Sequence, residues 1–193
     1  MELKYEWKAN PEYKLLATID DAKFIYDQAE KKLKEIISSG DLVVNRTTTL
    51  ITVVVGVIVG LLGYSINRYY SLNKFDASIW SCIIGIIYLF FILYYLRINF
   101  KGAKYSIIGA SPKTLFSSDF FKVTDEKLRS KMFIWAQIEN YQDSIDKNSF
   151  VNNQRWDRFN LSVTLIMFIP VLLTVIFFIL QCFLSEEVGH SCA

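Results

Sequence analysis

The sequence predicts an all-α integral membrane protein with three transmembrane helices and a charged, coiled-coil-like helical part. Three observations carry that expectation. Thr47–Asn67, Ala77–Leu96 and Leu161–Ser185 contain no charged residue. The basic residues are unevenly spread between those runs. The polar segments repeat apolar residues at alternating spacings of three and four.

The uncharged runs are long enough to span. A hydrocarbon core of about 30 Å takes about 20 helical residues, and backbone groups within it must be satisfied inside a helix or a closed barrel. Spans are expected at about 46–66, 77–97 and 161–185. The first run begins at Thr47, behind a charged segment, which is unlike a cleavable signal with its apolar core near the N-terminus. Residues 1–46 carry eight Lys and Arg, 67–76 carry two, 97–160 carry eleven and the segment after Leu184 carries none. Positive charge stays on the cytoplasmic side, so the N-terminus is expected inside and the C-terminus outside. The net charge of +2 reflects topology and gives no indication of nucleic-acid binding.

The predicted organisation is a cytoplasmic amphipathic helix over 1–41, a transmembrane hairpin over 42–98, a cytoplasmic loop plus long helix over 99–160, the third span over 161–185 and an outer tail over 186–193. Asn10-Pro11-Glu12 is a helix start, because Pro is tolerated in the first turn. Leu15, Ile19, Ala22, Tyr26, Ala29, Leu33 and Ile36 then form a heptad stripe, which Ser38-Ser39-Gly40 is expected to end. The stripe suits packing on the chain's own partner segment or on a second copy. The hairpin turn is placed at Asn67–Asp76, with Tyr64, Tyr69, Tyr70 and Trp80 as interfacial anchors. Thr124 is read as the cap of a helix running from about Asp125 to Leu184, kinked at Pro170. Its stripe includes Ile134, Ile138, Tyr141 and Ile145, then turns polar at Asn148, Asn152 and Arg155, which are candidates for setting register or gating.

In the first span Thr49, Thr52, Gly56, Gly60 and Gly63 fall on one helix face, at spacings of three, four, four and three. Close approach across small residues is a main source of helix association in lipid. The face is therefore a packing seam, for a neighbouring span of the same chain or for another subunit. Arg97, Lys101 and Lys104 form a candidate anion or headgroup contact, with positive-inside flanking as the plainer reading.

The residues for catalysis are missing. His190 is the single histidine, Cys82, Cys182 and Cys192 lack metal-ligand spacing, and no phosphate-binding Gly-rich loop occurs. No catalytic residue, metal or cofactor is expected. No Asp, Glu, Lys or Arg lies mid-span, which argues against a charge-coupled pump.

The stretches DDAKFIYDQAEKKLKEIISSG, NRTTTLITVVVGVIVGLLGYSI and IENYQDSIDKNSFVNNQRWDRFNLSVTLIMFI follow a layout of charged helix, apolar hairpin and polar seam. That layout resembles the small bacterial transmembrane effectors of anti-phage defence, the SLATT-domain and Pycsar-type membrane proteins. The resemblance implies an inner-membrane homo-oligomer that permeabilises the bilayer when a nucleotide ligand or a cytoplasmic signalling protein triggers it. It carries over no functional residue. The other expectation is a non-enzymatic anchor or accessory subunit that docks a soluble partner through its cytoplasmic helices.

Overall fold

The computed structural model describes residues 7–100 and 122–189. Every element among them is helical: α1 (Pro11–Leu16), α2 (Ile19–Leu72), α3 (Ala77–Arg97), a 3-10 turn (Ile98–Phe100), α4 (Glu126–Met167) and α5 (Ile169–Gly189). Three helical stretches, Ile19–Leu72, Ala77–Phe100 and Glu126–Phe183, are long and apolar enough to cross a membrane. They fit a multi-pass membrane protein. The chain divides into a polar unit, 1–42 with 103–154, and an apolar unit, 43–102 with 155–193.

In the polar unit, Asn10 caps α1 by accepting the Glu12 N–H at 2.9 Å, with Pro11 as the first helical residue. The expected single helix is in fact two. Thr18 Oγ1 accepts the Asp21 N–H at 3.1 Å, and Asp21 Oδ2 accepts the Thr18 N–H at 2.9 Å. This reciprocal cap starts a new helix and separates α1 from α2. The Thr18 hydroxyl and N–H also hold the Asp21 carboxyl below the ordinary carboxylate range. Leu15 consequently leaves the stripe and stands exposed, while Ala22 and Leu33 are buried on it.

Ser38-Ser39-Gly40 does not end the helix, which continues to Leu72. A mid-helix glycine costs about 1 kcal/mol relative to alanine. Gly40 is buried, however, and packing around the small residue outweighs propensity there. Within the same unit Ala9, Ala22, Trp135 and Ile138 form a small core. Above it the Tyr26 and Tyr141 hydroxyls meet at 3.1 Å. Asp125, not Thr124, caps α4: its Oδ1 accepts the Lys127 and Leu128 N–H groups at 2.8 and 3.3 Å. A carboxylate there also complements the helix dipole.

The apolar unit is built on Val54, Ile58, Ile86, Leu89, Ile92, Leu96 and Ile169. The turn between α2 and α3 is tighter than predicted, Asn73 to Asp76, with Asn73 at φ 49°. Asn tolerates the left-handed region better than most side chains, which lets so short a turn close. Asp76 caps α3 through the Ile79 N–H at 3.0 Å and pairs with Arg68 Nε at 3.0 Å. Burial pushes its carboxyl up, but the Ile79 N–H and Arg68 outweigh that and hold it below the ordinary value. Tyr69, Phe75 and Trp80 pack ring to ring around the tip.

Pro170 has no N–H to offer the Ile166 carbonyl, and the helix breaks at Phe168, between α4 and α5.

Candidate functional site

The glycine-bearing face of the first span is the strongest sequence candidate, and it lies open. A Cβ added at Gly56, Gly60 or Gly63 would meet nothing within 4 Å, and Thr49 and Thr52 are exposed beside them. The expected neighbour from the same chain is therefore not there among the described residues. The reason is register. Val54, Ile58, Leu61 and Ser65 turn toward the apolar core, and these positions lie about 180° around the helix from the glycines at 3.6 residues per turn. The hydroxyls of Thr49 and Thr52 donate to the Asn45 and Thr48 carbonyls, both at 3.1 Å, so they need no partner from another helix.

The glycine that does mediate close packing is Gly85 on α3. A Cβ there would lie 2.7 Å from Leu173 Cδ2 of α5. Three residues on, the Tyr88 hydroxyl donates to the Leu165 carbonyl at 3.3 Å. The Phe168 N–H reaches that same carbonyl at 3.3 Å, in place of a regular helical bond. α3 thus holds α5 beyond the proline break and the end of α4 before it. In lipid a loosened carbonyl needs such a donor, since no water replaces it. Sequence reasoning missed both residues: Gly85 is a lone glycine, and Tyr88 reads as one more membrane tyrosine.

A buried polar group sits at one end of the apolar unit. Thr47, Asn99 and Arg155 are all buried. Asn99, presented by the 3-10 turn, donates from Nδ2 toward Thr47 Oγ1 at 3.5 Å and the Arg155 carbonyl at 3.4 Å. Its Oδ1 is buried with no hydrogen-bond partner among the described residues. Both Asn99 contacts lie at the long end of hydrogen-bond distance, whereas Thr47 Oγ1 itself donates to the Val43 carbonyl at 2.7 Å. Nearby, the Arg46 guanidinium stacks over the Trp156 ring, 5.3 Å from its centre.

Of the other sequence candidates, Asn148 and Asn152 are buried in the polar unit, and Asn152 Nδ2 donates to the Ile36 carbonyl at 2.6 Å. Arg97 is exposed at the end of α3, whereas Lys101 and Lys104 lie outside the described residues, as do His190 and Cys192. The proposed anion contact is thus represented by Arg97 alone. Cys82 is buried and Cys182 exposed. Among the described residues no three His, Cys, Asp or Glu side chains gather as a metal site.

No protein-family model, no curated protein and no solved structure matches the chain.

Proposed function

We propose that the chain is a non-enzymatic, oligomeric effector of the bacterial inner membrane. It assembles through the small-residue face of its first span and forms a pore or disrupts the bilayer when a nucleotide signal or partner protein triggers it, in anti-phage defence. One observation carries this reading: Gly56, Gly60 and Gly63 form a face that no described part of the chain occupies. Small-residue faces let helix backbones approach, and packing is what drives association where lipid removes the hydrophobic force. In this reading the N-terminus is cytoplasmic, and the cytoplasmic parts of α2 and α4 form a coiled-coil-like pair. Asn148, Asn152 and Arg155 set register or gate the assembly, a known use of isolated polar residues on an apolar seam.

The test is the mass of the protein in lipid nanodiscs, wild type beside Gly56→Leu. A wild-type oligomer that the variant loses supports the intersubunit seam. Expression with the trigger then collapses the membrane potential in the wild type alone.

The second reading is an anchor that docks a soluble partner through its cytoplasmic helices. It is favoured by Phe24 and Ile25, which stand exposed on α2 in the polar unit. A monomer in both nanodisc samples, with no loss of potential, moves this reading ahead.

A further inference from the structure

The polar unit contains an open cavity of about 530 Å³ between α1 and the first turns of α4. Pro11 and Leu15 face Leu128, Met132, Trp135 and Ala136 across it. Leu15, Leu128 and Met132 remain 73%, 42% and 40% exposed and are gathered on one concave surface, unlike Phe24 and Ile25, which do not line it. Scattered exposed apolar residues are ordinary, but a concave group of them marks a binding surface.

The charge at the rim is unequal. Lys14, Lys131 and Glu139 all border the cavity. Glu139 Oε1 is already engaged, accepting the Ala9 N–H at 3.0 Å and Lys14 Nζ at 2.5 Å. Lys131 Nζ donates at 2.9 Å to the Leu15 carbonyl, a neutral acceptor. The lining thus carries two ammonium groups and one carboxylate, and the further negative charge felt by Lys131 is the Asp21 carboxylate, which is not part of the lining. The ammonium has three N–H donors and the Leu15 carbonyl takes one, so an anion reaching Lys131 finds a donor still open to a charge-paired hydrogen bond.

We propose that this cavity binds a single-chain anionic amphiphile from the aqueous phase, its tail against Leu15, Leu128, Met132 and Trp135 and its head on Lys131. The volume is that of a site for one small molecule, which falls within about 300–1,000 Å³. The walls offer a nucleotide too few donors for its phosphates and base edges. The inference goes beyond the membrane role and holds for an effector and an anchor alike.

The experiment photolabels the full chain in lipid nanodiscs with a diazirine-bearing decanoate and maps the labelled peptides by mass spectrometry. Peptides from α3 and α5 report labelling from the bilayer and serve as the internal control. The expected result is saturable labelling across Leu128–Glu139, competed by decanoate and much less by decan-1-ol. Lys131→Gln lowers that labelling about fivefold, the scale of one partly exposed charge contact, and Met132→Trp removes it by filling the cavity. Neither substitution changes labelling of α3 or α5. Label confined to α3 and α5, or cavity labelling unchanged by both substitutions, overturns the site. Equal competition by decan-1-ol overturns the anionic requirement. Should Met132→Trp lose helical content by circular dichroism, Lys131→Gln decides the question alone.

Discussion

The first and second spans both carry glycine, and they use it in opposite ways. On α3 the absent side chain at Gly85 is space that Leu173 fills, at a distance no Cβ would tolerate unmoved. On α2 the absent side chains at Gly56, Gly60 and Gly63 are space that nothing in the described chain fills. Both helices meet the same apolar core, one through a face that includes its glycine and the other through the face opposite its glycines. A small-residue motif therefore reports a capacity for close approach. Whether the chain itself uses that capacity depends on which way the helix is rolled.

The comparison is broken most directly at its closed side. Gly85→Leu overpacks the α3–α5 contact and should cost about 1–3 kcal/mol, as core overpacking does. Unfolding of the detergent-solubilised protein in increasing SDS measures it. Adding Leu173→Ala should recover most of the loss, and a double variant as unstable as the single one would mean that Leu173 is not what Gly85 accommodates.

Next in size is the turn that joins the two spans. Asp76→Ala removes a helix cap and an ion pair and should cost about 1 kcal/mol. Because the folded carboxyl titrates below its ordinary value of 3.8, its contribution is complete above that value. It is lost as the pH falls through the depressed one. The hydrogen-exchange protection factor at Ala77–Trp80, taken relative to the intrinsic rate at each pH, should fall for the wild type as the pH is lowered below 3.8 and show no such fall for Asp76→Ala.

Tyr88→Phe should have a smaller effect, about 0.6 kcal/mol, the typical worth of a hydrogen bond between membrane helices. Its signature is local: faster exchange around Leu165–Ile169 with the Gly85 contact intact. Gly56→Leu closes the series with the smallest intrachain effect, within about 0.5 kcal/mol, as for a substitution that touches nothing. A large destabilisation of the monomer would show that the first span's glycine face is occupied after all.

Much of this was legible in advance. Long uncharged runs announced three spans because a buried, uncharged backbone has few alternatives to a helix. Asn10-Pro11 announced a helix start because that cap is local in sequence. Other boundaries were missed where two local signals competed. Thr18 and Asp21 form a cap that a heptad reading through Ile19 overlooks, and Asp125 displaced Thr124 as the better-charged acceptor. The roll of α2 was also available in principle. The spacing that buries Ala22 and Leu33 and half-buries Tyr26 and Ala29 continues in step through Gly40, Val43, Thr47, Val54 and Ile58. Reading Ser38-Ser39-Gly40 as a stop cut that series before it reached the span.

The sequence by itself determined the helical class, the number of apolar spans and the identity of the small-residue face, because these depend on composition and period along one chain. Tertiary structure alone decided which glycine is packed, which tyrosine serves the proline break and where Asn99 is buried. Those outcomes depend on the roll and depth of helices distant in sequence, and a contact such as Gly85 to Leu173 leaves no periodic trace in either segment.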